Sequence, residues 1–342
     1  MIREAIDKVV MGENLNSVEM SGAMNEIFDG KATDAQIAAL ITALRTKGET
    51  IEEITACAQV MRHKALRLDY KGDALEIVGT GGDKANTFNI STTSAFVAAA
   101  GGVKVAKHGN RSVSSKSGAA DVLEALGARI DLTPEQGMEL LEATNMVFLF
   151  AQKYHASMRY AGPVRKEIGI RTVFNILGPL TNPAFTNMEV MGVYDKKLVR
   201  PLAQVLSNLG VVRGLVFNGD GLDELTLTGK NTVVEIDHGQ LHDVEIDGVA
   251  LGLAPCTKAD LVGGDAKENA RITKDILSGK ERGAKRDIVV LNAGAALFIA
   301  GKAKNLRDGI KLAASLIDNG AAYAAMEKFV TMSNKIANKM LN

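Results

Sequence analysis

The chain has 342 residues, and its composition already excludes several classes of protein. Hydrophobic residues make up 46% of the chain, which excludes a disordered protein, and the 40 basic residues balance the 40 acidic ones. This zero net charge gives no reason to expect a nucleic acid or an anionic membrane as partner, and the absence of tryptophan weakens any base-stacking platform.

The cysteine content and the first residues point to a cellular compartment. Only two cysteines, Cys57 and Cys256, are present, which excludes a disulfide framework and favours a reducing environment. The opening MIREAIDKVV carries charges too early and too often for a signal peptide, and no apolar stretch approaches the roughly 20 residues that cross a bilayer. We therefore expect a soluble, cytoplasmic protein without a membrane partner.

The first seventy residues predict helices only. In TDAQIAALITALRTKG the apolar residues recur at helical spacing, with Thr33 or Asp34 placed to begin the helix and Gly48 to end it. The next helix opens at Thr50, and Glu53 three positions later completes a capping-box pattern. We expect a small all-helical domain over residues 1–70.

From Leu75 onward, short apolar runs alternate with longer helical segments. The runs predicted as buried strands are LEIVG, VKVAKHG, MVFLFA, MEVMGVY and GLVFNG. TPEQGMELLEATN predicts a capped helix between two of them, and NTVVEIDHGQLHDVEID predicts a hairpin whose turn is marked by Gly239. This alternation predicts a larger α/β domain over residues 71–342, with a mainly parallel sheet and one antiparallel edge.

A glycine-rich turn follows the first predicted strand. GTGGD, from Gly79 to Asp83, leaves backbone N–H groups unobstructed, and the polar residues of TFNIST come where a helix should begin. It is not a Walker loop, and Lys84 stands where a dinucleotide fingerprint needs glycine. A ligand-free tight turn remains the alternative, but helix capping needs one polar residue, so we interpret the segment as a phosphate site.

A second polar cluster follows the next predicted strand, from Lys107 to Gly127. Its cationic donors are Lys107, His108, Arg111 and Lys116, and its neutral donors are Asn110, Ser112, Ser114, Ser115 and Ser117. Such a basic, serine-rich loop suits a highly charged phosphate ligand. An ordinary solvated loop is the alternative, but two such loops after successive strands favour the crevice where α/β sheets bind ligands.

These motifs, together with GPVRKEIGIRTVFNILGPLTNP from Gly162 to Pro183, resemble the signature set of the anthranilate phosphoribosyltransferase family over essentially the whole chain. The resemblance implies transfer of a phosphoribosyl group from 5-phosphoribosyl 1-diphosphate to anthranilate, in tryptophan biosynthesis. It implies a nucleoside phosphorylase/phosphoribosyltransferase-like fold, in which a segment at about 165–185 returns to the helical domain. It also implies a homodimer formed through that domain.

The resemblance further implies roles for individual residues. Those matching the phosphoribosyl-diphosphate site are Gly79, Gly82, Asp83, Thr87, Asn89, Ile90, Ser91, Thr92, Lys107, His108, Gly109, Asn110, Arg111, Ser112, Val113, Ser114 and Ser115. Those matching the anthranilate site are Gly79, Asn110, Arg165 and His108. Those matching the metal site are Ser91, Asp223 and Glu224, which implies two Mg²⁺ ions per subunit. No side chain is assigned as a catalytic residue, since the leaving group would be stabilised by Mg²⁺ and the Gly79–Asp83 loop.

One position departs from the family pattern, and one pair of assigned residues rests on the resemblance alone. Ala119 stands where the family commonly has serine, so one hydroxyl donor toward the phosphorylated substrate is missing. By spacing alone, Asp223 and Glu224 would be weak metal candidates, since adjacent side chains on a strand point in opposite directions. The alternatives left open are a pyrimidine-nucleoside phosphorylase and a non-catalytic, nucleic-acid-binding relative of the same fold.

Overall fold

The chain begins with a four-helix bundle in the computed structural model, which describes residues 1–112 and 116–339. The bounds of these helices are Ile2–Val10 (α1), Ser17–Phe28 (α2), Asp34–Lys47 (α3) and Ile51–Lys64 (α4). Within this part of the chain the prediction of an all-helical region is confirmed.

Side-chain caps fix where the later bundle helices begin. Thr33 and Thr50 each accept a hydrogen bond from the third residue of the helix that follows, and the side chain of that residue bonds back to the cap. The Thr50–Glu53 capping box is the one predicted from the sequence. Gly48 ends α3 with a φ of +90°, a conformation that favours glycine. Local signals alone therefore set this connection.

A seven-stranded sheet forms the centre of the remaining chain. Its strands are Leu75–Gly79 (β1), Val105–Gly109 (β2), Met146–Phe150 (β3), Met188–Gly192 (β4), Arg213–Gly219 (β5), Asn231–Asp237 (β6) and Gln240–Ile246 (β7). The spatial order is β3-β2-β1-β4-β5-β6-β7. The first five strands are parallel, whereas β6 and β7 are antiparallel, which confirms the predicted sheet.

The antiparallel edge is the predicted hairpin. Asp237 pairs with Gln240, which leaves a two-residue turn of His238 and Gly239. Both turn residues have positive φ, +48° and +86°, as a tight hairpin turn requires.

Helices cover both faces of the sheet. Those before β4 are Ile90–Ala100 (α5), Ala119–Ala125 (α6), Pro134–Thr144 (α7), Ala151–Tyr154 (α8), Met158–Ile168 (α9) and Phe174–Leu180 (α10). Those after β4 are Val199–Asn208 (α11), Ala266–Leu277 (α12), Ala284–Ile299 (α13), Leu306–Asp318 (α14) and Ala321–Asn338 (α15). Two 3₁₀ helices, Lys196–Leu198 and Lys258–Leu261, lie in connections.

Two hydrophobic clusters cover the two faces of the sheet. Ile77 and Leu215 pack on one face with residues of α5, α13, α14 and α15. Val216 on the other face shares a cluster with the helical bundle and with α9, α10 and α11. Phe174 of α10 meets Phe28 of α2 edge to face, with ring centroids 6.3 Å apart. The segment that contains α9 and α10 therefore packs on the bundle.

The carboxyl ends of the five parallel strands all lie on the same side of the sheet, and the loops after β1, β2 and β5 meet there. The described helices include none with the length and apolar composition of a membrane span.

Candidate functional site

Glycines let the loop after β5 approach the ends of β1 and β4. A Cβ on Gly79 would lie 2.2 Å from Asp223 Oδ2, and a Cβ on Gly192 would lie 1.7 Å from the Asp223 carbonyl oxygen. The backbone N–H of Gly81 donates to Asp223 Oδ2 at 2.5 Å. The glycines of GTGGD thus make room for a carboxylate, and the Thr80 N–H next to Gly81 donates to the carbonyl of Gly192 at 3.0 Å.

Three carboxylates meet at this point. One oxygen each from Asp83, Asp223 and Glu224 lie within 4.8 Å of one another. Asp83 Oδ2 and Glu224 Oε2 are buried and have no hydrogen-bond partner among the described residues. Burial, with Asp83 nearby, raises the pKa of Asp223 to about 7, and burial raises the pKa of Glu224 well above its usual range. Oxygen donors crowded in this way fit a divalent cation.

Asp83 is a candidate metal ligand that sequence reasoning missed. The sequence assigned it to the phosphate loop and paired only Asp223 and Glu224 with Ser91. In the sequence, the one sign of this role was that an aspartate ends the GTGGD motif. The contact between Asp83 and Asp223 joins segments about 140 residues apart, so spacing along the chain does not reveal it. Adjacent side chains point in opposite directions only on a strand, and this does not apply to Asp223 and Glu224, because both lie in the loop after β5.

Lys107, His108 and Gly109 belong to β2, in agreement with the predicted strand VKVAKHG, so the loop of the second polar cluster begins only at Asn110. The Lys107 ammonium is buried and donates to the carbonyl of Ile77 at 2.6 Å and to Ser91 Oγ at 3.2 Å. Burial lowers its pKa, which Glu76, Asp223 and Glu224 partly oppose.

His108 is not a cationic donor, contrary to the prediction. Its ring is buried, the Nδ1–H donates to the carbonyl of Gly178 at 3.1 Å, and the ring centroid lies 4.9 Å from that of His155. Burial holds the pKa of His108 well below its usual range, and burial lowers the pKa of His155 to about 4. Both imidazoles are therefore neutral at pH 7.

This pair predicts a pH dependence of stability. Between about pH 6.5 and 4 the unfolded chain binds more protons at position 155 than the folded chain, so the free energy of unfolding should fall as the pH is lowered. We expect wild type to lose up to about 1.4 kcal/mol per pH unit more than His155→Asn in this window. Chemical denaturation of both proteins at several pH values measures the difference, and parallel curves would contradict the assignment.

The TFNIST segment begins helix α5 and also forms hydrogen bonds to other segments of the chain. α5 begins at Ile90, and Asn89 precedes it without capping it through its side chain. The Asn89 side chain instead donates to the carbonyl of Ser117 at 3.1 Å and accepts from Asn269 Nδ2 at 2.9 Å. Thr87 forms an isolated bridge with Val262.

Two hydroxyl residues stand in the first turn of α5. Ser91 is half-buried, and its Oγ accepts from Lys107. Thr92 is buried, and within residues 1–112 and 116–339 its Oγ1 has no hydrogen-bond partner. The first turn of a helix leaves backbone N–H groups without partners inside the helix, so this turn remains a candidate anion site beside the carboxylates.

The loop after β2 begins at Asn110 and carries less free charge than predicted. The Arg111 guanidinium is exposed and pairs with Glu124 and Asp121, and it lies over the Phe150 ring at 5.4 Å. The backbone N–H of Ser112 donates to Asp121 Oδ2 at 2.9 Å. The predicted site residues Val113, Ser114 and Ser115 lie outside the described residues.

Ala119 adjoins the end of β2 as the first residue of α6. A Cβ on Gly109 would lie 3.1 Å from the Ala119 Cβ, so a side chain at 119 faces the strand end that carries site residues.

Restoring the hydroxyl at this position should strengthen substrate binding. One neutral hydrogen bond is worth about 1 kcal/mol, so Ala119→Ser should lower about fivefold the KM for the phosphorylated substrate that the resemblance implies. Ala125→Ser, at the other end of α6, is the matched control and should leave that KM unchanged. An unchanged or higher KM in Ala119→Ser would contradict the role given to this position.

Arg165 lies in α9 with its guanidinium largely buried. Its Cζ is 5.1 Å from the centroid of the Phe174 ring, and burial lowers its pKa. In the described part of the chain it forms no ion pair, in contrast to Arg111. A buried guanidinium stacked on an aromatic ring and lacking a carboxylate partner suits a planar carboxylate ligand.

Arg171 is a further residue that sequence reasoning missed. Its guanidinium donates to the carbonyl of Gly82 and lies 4.0 Å from the centroid of the Tyr194 ring. It thereby joins the segment after α9 to the GTGGD loop. The only sequence signal was its place in IGIRTVFN, which did not separate it from a surface arginine.

Two family models match the chain, each over one part of it. Residues 3–65 match the helical bundle domain of a glycosyl transferase family, and residues 71–323 match its a/b domain.

Known proteins resemble the chain over nearly its full length. Anthranilate phosphoribosyltransferase from Ruminiclostridium cellulolyticum is 55% identical, over 98% of each chain. That from Methanobrevibacter smithii is 54% identical, over 98% of this chain and all of the relative. The solved enzyme from Thermus thermophilus is 42% identical with a TM-score of 0.92, covering 96% of this chain and 99% of that one. The enzyme from Saccharomyces cerevisiae, solved in complex with PRPP and Mg, is 29% identical with a TM-score of 0.89, covering 98% of both chains.

Proposed function

Since the chain belongs to the anthranilate phosphoribosyltransferase family, we propose how the residues at the ends of β1, β2 and β5 carry out its reaction. The enzyme joins the phosphoribosyl group of 5-phosphoribosyl 1-diphosphate to the amine of anthranilate, giving N-(5-phosphoribosyl)anthranilate and diphosphate. The observation that carries the proposal is the cluster of Asp83, Asp223 and Glu224 against the GTGGD loop. The pyrimidine-nucleoside phosphorylase alternative is not favoured, because the relatives described above are anthranilate phosphoribosyltransferases.

The reaction depends on Mg²⁺ held by the three carboxylates, with Ser91 as a further ligand. The buried, unpartnered oxygens of Asp83 and Glu224 support this role. Mg²⁺ usually takes only one or two carboxylates together with substrate phosphate oxygens, so three carboxylates suit two ions per subunit. When bound, the metal would neutralise charge on the diphosphate leaving group.

The number of ions can be counted with Mn²⁺ as a probe. Equilibrium binding in the presence of 5-phosphoribosyl 1-diphosphate should give two Mn²⁺ per chain, and one or none would contradict the proposed stoichiometry.

The phosphoribosyl diphosphate lies between the GTGGD loop and the loop that begins at Asn110. Backbone N–H groups of Gly82 and Asp83 and of the first turn of α5 donate to its phosphate oxygens, and the Thr92 hydroxyl is available as a further donor. Lys107 acts from β2 and not from a loop, since its ammonium donates a hydrogen bond to the Ser91 hydroxyl. His108 acts as a neutral group that packs against the substrate region.

Arg165 binds the anthranilate carboxylate and so aims the amine at C1 of the ribose. The amine nitrogen of anthranilate is neutral at pH 7 and can attack without prior loss of a proton. The C1–O bond to diphosphate breaks, the new C1–N bond forms, and the amine then releases one proton to solvent. Positioning of the two substrates and stabilisation of the leaving group therefore carry the catalysis, without an assigned general base.

The chain acts as a homodimer formed through the helical bundle. Val10 and Met11 at the end of α1 and Val18 in the first turn of α2 each expose between 66% and 78% of their surface, and such exposed apolar side chains are suited to contact with a second copy. Sedimentation velocity should give twice the 36.3 kDa of the chain, and a mass of one chain would contradict the dimer.

The proposal includes the bounds of the two domains and the cellular compartment. We assign residues 1–70 to the helical domain, joined by the returning segment, and 71–342 to the α/β domain. The free thiols of Cys57 and Cys256 fit a cytoplasmic enzyme.

A further inference from the structure

β1 and β2 are neighbours in the sheet but pair at only one position. Leu75 pairs with Val105, and the ladder then stops. On their other sides β1 pairs with β4 over five positions and β2 pairs with β3 over five positions. The interruption is therefore confined to the gap between β1 and β2.

Side chains satisfy the backbone groups that face this gap. If the parallel ladder continued, the Ile77 carbonyl would accept from the His108 N–H. Instead the His108 N–H donates to Glu76 Oε2 at 2.9 Å, and the Ile77 carbonyl accepts from Lys107 Nζ at 2.6 Å. The Ala106 carbonyl, which would also face β1, accepts from Asn182 Nδ2 at 2.7 Å.

Glu76 and Asn182 form one unit within the gap. Both side chains are fully buried, and Asn182 Nδ2 donates to Glu76 Oε2 as well as to the Ala106 carbonyl. The Asn182 Oδ1 accepts from the Ala184 N–H at 2.8 Å, which fixes the orientation of the amide. Asn182 belongs to the loop after α10, so the unit also ties that segment to the sheet.

A buried carboxylate in the middle of a sheet is costly, and a hydrophobic residue with a continuous ladder would satisfy the same backbone groups. The interruption therefore calls for a reason beyond stability. It opens toward the edge of the sheet where β1 leads into the GTGGD loop and β2 leads into Asn110. These are the two loops that the proposed function places on either side of the phosphoribosyl diphosphate.

We propose that Glu76 and Asn182 are positioning residues that hold the ends of β1 and β2 apart and so set the spacing of the two substrate loops. The inference rests on the proposed place of the phosphoribosyl diphosphate between those loops. Neither residue touches the substrate, and both act through the backbone of β2. Because an acceptor is what His108 N–H needs, a glutamine at position 76 can replace the carboxylate, whereas an alanine cannot.

The test compares Glu76→Ala with Glu76→Gln. We expect Glu76→Ala to lower kcat/KM for 5-phosphoribosyl 1-diphosphate about 100-fold, the loss typical of a displaced binding group, and to speed hydrogen exchange in residues 105–109. Glu76→Gln should stay within about threefold of wild type, because the amide oxygen still accepts from the His108 N–H. Asn182→Ala, which removes one donor and leaves Glu76, should lower kcat/KM about tenfold and serves if Glu76→Ala does not fold.

Ile317→Val is the control for lost stability. Ile317 is a buried residue of α14, and this helix contains none of the site residues. The substitution removes one methylene from the core and so lowers stability, but it changes nothing in β2. Normal kcat/KM in folded Glu76→Ala, equal damage in Glu76→Gln, or a loss that Ile317→Val reproduces would each overturn the proposal. Asp223→Asn separates the two levels of inference: if it abolishes turnover while Glu76→Ala does not, the site stands and the positioning role falls.

Discussion

Replacing Asp223 by asparagine and Glu224 by glutamine together is expected to lower kcat about 1,000-fold without unfolding the protein. In the proposed function the two carboxylates would provide most of the charge that holds Mg²⁺ beside the diphosphate, and loss of such electrostatic stabilisation typically costs two to three orders of magnitude in turnover. The amides keep the shape of both side chains, and the asparagine oxygen can still accept from the Gly81 N–H. Steady-state kinetics and a thermal melt measure the two quantities.

Asp220→Asn is the matched control for this double variant. Asp220 lies in the same loop, but it is exposed and its carboxylate is 3.3 Å from the ammonium of Lys258. We expect kcat within about twofold of wild type, because an exposed ion pair contributes little. Near-normal turnover by the double variant, or an equal loss in Asp220→Asn, would contradict the metal assignment.

Replacing Arg165 by glutamine should raise the KM for anthranilate about 100-fold while the KM for 5-phosphoribosyl 1-diphosphate stays nearly constant. A charge-assisted, two-point hydrogen bond from a buried guanidinium contributes about 3 kcal/mol to binding, which corresponds to that ratio. The anthranilate carboxylate is bound alike before and during the reaction, so KM should change more than kcat.

Lys166→Gln is the control for Arg165→Gln. The two residues are adjacent in α9, but Lys166 is exposed, and the same loss of one positive charge there should leave both KM values unchanged. Equal effects of the two substitutions would mean that general charge, and not a carboxylate site, explains Arg165. An unchanged anthranilate KM in Arg165→Gln would contradict the site itself.

The sequence predicted those parts of the fold that local patterns control. The Thr50–Glu53 capping box, the strand runs and the hairpin turn at Gly239 each depend on residues a few positions apart, and each was found where predicted. The glycines of GTGGD were predicted to free backbone N–H groups for an anion, and the structure shows a different use for them, which is room for Asp223. Their most direct partner, Asp223, lies about 140 residues away and could not be named from spacing alone.

The errors came from side chains whose burial depends on distant segments. Lys107 and His108 looked like cationic donors of a loop, but both are buried in β2, where the His108 ring is neutral. Glu76 drew no attention inside the apolar run LEIVG, because its partners on β2 and in the loop after α10 become visible only in three dimensions. The family resemblance supplied Asp223 and Glu224, which residue types and spacing did not.

This chain is expected to transfer a phosphoribosyl group to anthranilate, and the proposed function requires Mg²⁺ at the carboxylate cluster for that transfer. The most direct measurement follows anthranilate fluorescence after purified protein is mixed with 5-phosphoribosyl 1-diphosphate, once with Mg²⁺ and once with excess EDTA. We expect fluorescence to be lost with Mg²⁺ and to persist with EDTA. Fluorescence that persists in both mixtures, from protein shown to be folded, would contradict the transfer, and equal loss in both would contradict the need for the metal.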